Sequence, residues 1–213
     1  MESIKYSFKT LGDLATKIKL HQEVHSESMK NKDILNQIHL STFYQNKNLS
    51  FQNIISSSSL NWIIIDTISF IDEYEKKLTA YNYPNYSDKI LLLKKINNPA
   101  LRRIKKWTDL KKYRNTILVH NLTIKNKHIY SFQNPIKYNY PKNNDEVKLL
   151  SDLILIISKN IGFVFNKLVN EIDFSTSIAN LILTNKNEIN FKLEIKNVVN
   201  EIEAIKKSIS NDN

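Results

Sequence analysis

The hydrophobic residues of this chain recur every three or four positions, which is the spacing of helices that bury one face. The clearest such stretch is residues 60–80, where most charged side chains fall outside the apolar face. That face is formed by Leu60, Ile64, Ile68, Ile71 and Leu78. Residues 87–97 predict a short apolar helix, and residues 146–172 are apolar almost all round, which predicts a central buried helix.

The two ends of the chain are less regular. Residues 1–10 predict a frayed entry, residues 11–46 one or two polar helices, and residues 48–59 a loop whose serine run 56–59 supplies the next N-cap. Residues 188–208 repeat apolar positions with the four-and-three spacing of a coiled-coil seam, which packs either within the domain or against a second copy.

The composition agrees with a helical protein. Among 213 residues there are only 2 Gly and 4 Pro, too few for the tight turns of an all-β fold or for a glycine-rich phosphate loop. The prediction is therefore a single all-α domain over residues 1–213, a bundle of five or six helices. Residues 1–59 would supply N-terminal helices and a loop, residues 60–172 the bundle core, and residues 186–209 the C-terminal helix.

The chain carries a formal net charge of +10 and contains no Cys. This positive surplus favours a polyanionic partner such as nucleic acid, although the richness in Lys, Asn and Ile also arises from base composition in coding DNA. A chain without Cys forms no disulfide and no thiolate metal site. Apolar runs such as residues 63–65 and 153–157 are too short to span a bilayer, so we expect a cytoplasmic protein with no membrane partner.

Residues 98–121 carry the densest candidate chemistry. Asn98 suits a helix N-cap and Pro99 suits the first turn, and no Gly or Pro follows, which predicts one helix of about twenty residues from Ala100 onward. Arg114 falls on the packing face of that helix, where a guanidinium must be paired or must meet an anion. All the Arg residues of the chain lie in this stretch, whereas the rest of its positive charge is Lys.

Arg114, Asn115 and His120 form the candidate catalytic group. A fixed cation stabilises charge that develops on a phosphate, and an imidazole moves a proton near neutral pH. In RNA cleavage the nucleophile can be the 2′-hydroxyl of the substrate, so no metal and no cofactor is required. Six residues of helix separate Arg114 and His120 by about 120° around the axis and about 9 Å along it, so a second helix or a partner subunit would complete the site.

This arrangement resembles the R-x4-6-H motif of HEPN domains, through Arg114, the polar Asn115 directly after it, and His120. The resemblance implies an all-α bundle, often a homodimer, in which two motifs face each other to make a metal-independent endoribonuclease. Many members are toxins or antiviral abortive-infection effectors, which implies an antitoxin or regulatory protein as a partner. Leu122 departs from those toxin members that carry a Tyr two residues after the His, a residue that a partner modifies.

Basic and aromatic side chains around this motif predict an RNA-binding surface. Arg and Lys neutralise phosphates, and aromatic rings stack on bases. The candidates are Arg102, Arg103, Lys106, Lys111, Lys125, Lys127 and Tyr130. The last three belong to residues 125–144, which form either a long loop or a small hairpin, and the aromatic residues there either stack on bases or pack onto the bundle.

Two histidines of the N-terminal region stand one turn apart and are therefore spaced to hold zinc. These are His21 and His25, but Glu23 falls one place too late to match the H-E-x-x-H motif of zinc proteases. We therefore interpret both as surface side chains of a polar helix and expect no metal site.

Structural roles compete with catalysis at the candidate site. In the structural interpretation Arg114 pairs with a carboxylate and His120 only caps its helix. Asp66 is within reach of either residue in a bundle, whereas Asp72 and Glu73 fit a solvated acidic face. The expected function is an endoribonuclease, and the alternative is a non-catalytic module of the same fold that binds nucleic acid or a protein.

Overall fold

The structure is a computed structural model, and it describes residues 2–35, 50–115 and 138–172 together with the backbone of residues 123–124 and 127–128. Residues Met1–Ile172 form one compact unit, and the second unit, Asp173–Asn213, lies outside the described residues. The predicted C-terminal helix at residues 186–209 therefore lies outside them as well. The prediction of an all-α protein is confirmed at the level of a mostly helical chain.

Seven α-helices lie in the described part of the chain, and four of them are long. They are α1 (Glu2–Lys30), α2 (Lys32–Leu35), α3 (Phe51–Asp72), α4 (Ser87–Ile104), α5 (Leu110–Tyr113), α6 (Asn144–Val164) and α7 (Asn166–Asn170). A π-helical turn, Glu73–Lys77, continues α3, and a 3₁₀ turn, Pro84–Tyr86, precedes α4. Two short strands, β1 (Thr123–Ile124) and β2 (Lys127–His128), pair antiparallel.

Helix α1 begins at Glu2, so the prediction of a frayed entry over residues 1–10 is wrong. The reason is a buried stripe with alternating spacings of four and three residues that starts near the N-terminus. Its apolar members are Ile4, Phe8, Leu11, Ala15 and Ile18. The same spacing continues into two buried polar residues, Gln22 and His25, so α1 is anchored along most of its length.

Helix α3 begins at Phe51, so the predicted loop over residues 48–59 is also wrong in its second half. The side chain of Ser50 accepts the backbone N–H of Asn53 at 3.2 Å and is the N-cap, rather than a serine of the run 56–59. The hydroxyls of Ser56 and Ser57 instead donate to backbone carbonyls one turn back, which lets serine occupy a helix interior.

Helices α1 and α3 run antiparallel and pack along each other, and α6 packs against both α1 and α4. Ser7, near the start of α1, donates to Glu73 Oε1 at 2.8 Å just after the end of α3. Glu73 is buried, although the sequence placed it on a solvated face; its other carboxylate oxygen lies 2.9 Å from Lys77 Nζ. A hydrogen bond from α1 therefore holds the π-helical turn.

The predicted single helix from residue 100 to residue 119 is wrong. Helix α4 starts at Ser87, passes through Pro99 and ends at Ile104, and α5 starts only at Leu110. Pro99 therefore lies inside a helix and not in its first turn, and Asn98 is an exposed residue of α4 rather than an N-cap.

The interruption between α4 and α5 is stabilised by Asn139, which lies about thirty residues further along the chain. Its side-chain Nδ2 donates to the carbonyl oxygen of Lys106 at 2.8 Å, and its backbone N–H donates to Asp109 Oδ2 at 2.8 Å. The backbone N–H of Asp109 donates in turn to the Asn139 carbonyl at 3.1 Å. These bonds satisfy polar groups that a continuous helix would satisfy internally.

Helix α6 covers most of the predicted helix 146–172 and starts two residues before the predicted start. The side chain of Asn143 accepts the backbone N–H of Glu146 at 2.9 Å, and the side chain of Glu146 accepts the backbone N–H of Lys142 at 2.7 Å. These two side-chain bonds cap the start of the helix in the manner of a capping box. The helix is interrupted at Phe165, whose buried ring lies 4.8 Å from that of Phe8, and α7 follows.

Within the described residues, one helical stretch, Phe51–Lys77, is long and apolar enough to cross a membrane by length and composition, because it contains an 18-residue window with a mean hydropathy of 1.4. The core helix of a globular domain meets the same criteria, and this stretch packs along α1. Its composition is therefore weak evidence for a membrane, and it is consistent with a soluble protein.

Candidate functional site

Arg114 and Asn115 follow directly after the four-residue helix α5 and continue its helical backbone. The Nε–H of Arg114 donates to the side-chain carbonyl of Asn115 at 3.0 Å, and the Arg114 side chain is 22% exposed. The Asn115 amide therefore fixes one edge of the guanidinium, while the predicted orienting role of Asn115 in catalysis stays a prediction. The two Nη nitrogens of Arg114 take no part in this hydrogen bond.

Tyr113 anchors this short helix to the bundle. Its hydroxyl donates to Asn61 Oδ1 on α3 at 3.2 Å, and its ring packs against Tyr138 and Tyr140 with centroid distances of 5.7 and 4.4 Å. Burial raises the pKa of Tyr113, so its hydroxyl keeps its proton at neutral pH. The prediction that aromatics of residues 125–144 pack onto the bundle is confirmed for these two tyrosines.

In the part of the chain that the structure describes, the carboxylate closest to Arg114 belongs to Asp72, not to Asp66 as the sequence suggested. Asp72 Oδ2 lies 4.0 Å from Arg114 Nη1, whereas its other oxygen lies 2.6 Å from Lys76 Nζ. The hydrogen bond from Lys76 lowers the pKa of Asp72, with further contributions from Lys111 and Arg114. Asp72 is therefore shared among cations, and Arg114 is only loosely paired.

Asp66 occupies a different environment on α3. It is buried, and burial raises its pKa while Lys17 and His21 on α1 act in the opposite direction. The ring of His21 stacks on exposed Trp62 with a centroid distance of 6.1 Å. Asp66 thus belongs to the α1–α3 interface and does not support Arg114.

The described basic candidates precede Arg114 in the sequence. They do not form one continuous helix face, because α4 ends at Ile104 and α5 begins only at Leu110. Arg102, Arg103, Lys106 and Lys111 are all exposed. Arg103 Nη1 donates to the carbonyl of Pro99 at 3.1 Å, which leaves the rest of its fork in solvent. The predicted phosphate track is therefore distributed over two helices and the turn between them.

Four predicted site residues lie outside what the structure describes. They are His120, Lys125, Tyr130 and the side chain of Lys127. The backbone of β1 and β2 forms a small antiparallel ladder, with Thr123 opposite His128 and Ile124 opposite Lys127. Of the two forms predicted for this part of the chain, the ladder favours the hairpin over a simple loop.

The histidine pair of α1 is not a pair of surface side chains as the sequence suggested. His25 is 7% exposed, and its Nδ1 lies 3.0 Å from the carbonyl oxygen of Ser56, while His21 stacks on Trp62. Among the residues that the structure describes, no three His, Asp or Glu side chains come together in a group that could hold a metal ion.

A buried polar network escaped the sequence analysis. Asn97 is 1% exposed; its Nδ2 donates to the Tyr74 hydroxyl at 3.0 Å, and its Oδ1 accepts from Asn160 at 2.7 Å. Beside it Lys94 donates to the Tyr74 carbonyl, and burial lowers the pKa of Lys94 to about 8. The missed signal was a polar residue on the buried seam of α4, which runs through Ile90, Leu93, Asn97, Ala100 and Ile104.

The fold and this site define a mostly helical protein with a loosely paired arginine beside an exposed basic segment. The chain matches no known protein family model, no curated protein and no solved structure.

Proposed function

We propose that this protein is a metal-independent endoribonuclease of the HEPN type, with Arg114, Asn115 and His120 as its catalytic group. The observation that carries the proposal is the state of Arg114. Its guanidinium is fixed by Asn115, yet the nearest carboxylate among the described residues is 4.0 Å away and is already bound to Lys76. A held but incompletely neutralised guanidinium suits the non-bridging oxygens of a phosphodiester.

The proposed reaction uses the substrate as its own nucleophile. The 2′-oxygen attacks phosphorus and the bond from phosphorus to the 5′-oxygen breaks, giving a 2′,3′-cyclic phosphate and a 5′-hydroxyl end. His120 removes the proton of the 2′-hydroxyl or supplies one to the leaving oxygen, and Arg114 stabilises the charge on the phosphorane. A second copy of the chain would complete the site as a homodimer, and toxin or antiviral activity under the control of an antitoxin is the proposed setting.

The basic segment around Arg114 supports RNA as the substrate. From residue 102 to residue 114 one acidic residue, Asp109, stands among the cations. Those cations are Arg102, Arg103, Lys105, Lys106, Lys111, Lys112 and Arg114. Of them, Lys105 is paired with Glu75 at 2.6 Å, and most of the others present exposed charge to a polyanion.

The same basic segment favours a second candidate function, a helical module that binds RNA without cleaving it. Phosphate binding needs only the exposed cations of α4, α5 and the turn between them, and does not depend on His120. The two functions differ in one measurable property, which is whether bound RNA is cut.

The test is cleavage of a panel of single-stranded and structured RNAs in EDTA by the wild-type chain and by Arg114→Ala, His120→Ala and Lys159→Ala. We expect Arg114→Ala to lower kcat/KM by about 100-fold or more, because the charge on the phosphorane loses its fixed cation. His120→Ala should lower kcat/KM by a similar factor through loss of proton transfer. Lys159→Ala is the control, since it removes one positive charge from an exposed position on α6 outside the basic segment and should change kcat/KM by less than about threefold.

Cleavage that survives EDTA, yields 2′,3′-cyclic phosphate ends and is lost in the first two variants would support the nuclease. RNA binding without cleavage would favour the second candidate function. Arg114→Lys separates the roles of charge and geometry at this position: it keeps the charge but loses the planar fork, so we expect it to retain binding while cleavage falls.

A further inference from the structure

A polar cavity of about 350 Å³ lies at the opposite end of α3 from Arg114. It is formed where the last turns of α1, the first turns of α3 and the start of α6 meet. From Leu60 at its edge to Asp72 beside Arg114, α3 rises about 18 Å, so the cavity and the proposed catalytic site are separate. Its volume falls in the range of small-molecule sites.

The side chains of this cavity are cationic or neutral. Lys32 and Lys142 lie on its wall together with His25, and none of the residues that line it in the described part of the chain is acidic. The neutral side chains include the amides of Gln52, Asn53, Asn143 and Asn144 and the hydroxyls of Ser56 and Ser57. Such a lining attracts an anion and offers hydrogen bonds to the group that carries it.

The buried stripe of α1 changes from apolar to polar where it reaches the cavity. After Ile18 the next positions of the stripe are Gln22 and His25, both buried. His25 uses Nδ1 toward the Ser56 carbonyl, and its Nε2 has no hydrogen-bond partner among the described residues. Gln22 is satisfied by Lys19 and Ser26 and does not line the cavity, so His25 is the member of the stripe that lies on the cavity wall.

Gln52 contributes an amide to the wall of the cavity. It is 3% exposed, and its only hydrogen bond in the described structure runs from Nε2 to the sulfur of Met29, a weak acceptor. Its carbonyl oxygen is not one of the buried unsatisfied atoms of the described residues, which are Thr67 Oγ1 and Ser151 Oγ. That oxygen is therefore accessible and can accept a hydrogen bond from a bound molecule.

Two helices present their N-termini at the cavity. The first turn of α3 carries no acidic residue, so the positive end of its dipole is not offset there. The first turn of α6 carries Asp145 and Glu146, and Glu146 is engaged by the backbone N–H of Lys142. The α3 terminus therefore adds backbone N–H groups and a partial positive charge to the cations already on the wall.

We propose that this cavity binds a phosphate monoester, with the phosphate between Lys32, Lys142 and His25 and with the Gln52 amide facing the group that carries it. A free mononucleotide and the 5′-phosphorylated end of an RNA strand share this chemistry. The proposal is independent of the ribonuclease, because no residue of the cavity belongs to the proposed catalytic group.

The test is a titration of the full-length protein with inorganic phosphate, AMP and adenosine, followed by calorimetry and by NMR of the Gln52 side-chain amide. We expect phosphate and AMP to bind and adenosine not to bind. Lys142→Gln, an exposed position that leaves the fold intact, should weaken AMP binding by at least about tenfold. Lys30→Gln is the matched control, because Lys30 carries the same charge in the last turn of α1, pairs with Glu27 and does not line the cavity.

Equal losses in Lys142→Gln and Lys30→Gln would overturn the proposal, because binding would then follow net charge alone. Adenosine binding as strong as that of AMP, or no saturable binding of AMP, would overturn it as well. Competition of a 5′-phosphorylated oligonucleotide with AMP, absent for the 5′-hydroxyl form, would assign the site to RNA ends, and AMP binding without competition would assign it to a free nucleotide. Arg114→Ala should keep AMP binding, which separates failure of this proposal from failure of the nuclease.

Discussion

Lys94 shows how burial changes the chemistry of a single side chain. Its Nζ donates to the backbone carbonyl of Tyr74 and lies 3.8 Å from the centroid of the Tyr74 ring. Burial lowers the pKa of Lys94 from its usual 10.5 to about 8; Glu75 acts in the opposite direction and Lys105 adds to the lowering. A cation that is half-buried against a ring and a carbonyl is therefore close to losing its proton at mildly alkaline pH.

This shift predicts the pH dependence of stability. Between about pH 8 and pH 10 the unfolded chain holds more protons at Lys94 than the folded chain, so this residue makes the free energy of unfolding rise with pH. Above that window Tyr74 opposes the trend, because its pKa is raised to about 12 and the folded state retains the phenol proton. Lys94→Met should flatten the rise, measured by urea unfolding at pH 7, 8, 9 and 10.

Lys95→Met is the control for this prediction, since Lys95 is the exposed neighbour on the same helix and should leave the slope unchanged. A pH slope that is the same in Lys94→Met and in the wild type would show that Lys94 titrates normally in the folded protein.

At the scale of secondary-structure elements, Asn97 joins three of them. It lies on α4, contacts Tyr74 in the π-helical turn after α3, and accepts from Asn160 on α6. The Tyr74 hydroxyl also donates to the Leu93 carbonyl at 3.3 Å, so every member of the network has a partner. A satisfied polar network of this kind fixes the relative positions of the elements that it connects.

Adjacent asparagines provide a matched test of that network. Asn97→Ala leaves the partner groups of Tyr74 and Asn160 without a bond in the core, so we expect it to lower the free energy of unfolding by about 1–3 kcal/mol. Asn98→Ala makes the same chemical change at an exposed position of α4 and should be neutral or slightly stabilising, because alanine is the better helix former. Similar losses in the two variants, measured by denaturant unfolding, would argue against the network.

Some of the features that sequence reasoning missed depend on distant residues. Local apolar spacing predicted the centre of α3 and most of α6, but α3 begins nine residues before the predicted start at Leu60 and α6 ends eight residues before the predicted end at Ile172. The interruption between α4 and α5 depends on Asn139, and the π-helical turn depends on Ser7, which lies 66 positions from Glu73. Local spacing contains no sign of such contacts, and it therefore predicted one continuous helix where α4 and α5 are separate.

The candidate site was predictable to the same extent. Arg114 and Asn115 were identified from residue type and adjacency, and the hydrogen bond between them joins sequence neighbours. The carboxylate partner of Arg114 was not identified. Asp66 and Asp72 lie on different turns of α3, and the choice between them depends on which of these turns lies beside α5. The cavity was missed for a different reason: its signal on α1, the buried His25 at the end of the stripe, becomes visible only once Ile4 is known to begin that stripe.

At the scale of the whole molecule, the net charge is +10. Within the described residues, the positive charges that lack an acidic partner are unevenly distributed along the chain. Several lysines of α1 and of the π-helical turn are paired with nearby acids, as Lys19 is with Glu23 and Lys76 with Asp72. Arg102 and Arg103 make no ion pair in the described structure. The attraction of a polyanion should therefore depend on where the charges are and not only on their sum.

The salt dependence of RNA binding shows whether RNA responds to the position of the positive charges or only to the net charge. If Arg102 and Arg103 each neutralise one phosphate of a single strand, replacing both with Gln should reduce the slope of log Kobs against log salt by about 1.4. The control is Lys148→Gln with Lys159→Gln, which removes the same charge from exposed positions on α6. An equal reduction in both double variants would mean that RNA responds to net charge, whereas a reduction confined to the arginines would place the phosphates along the segment that leads to Arg114.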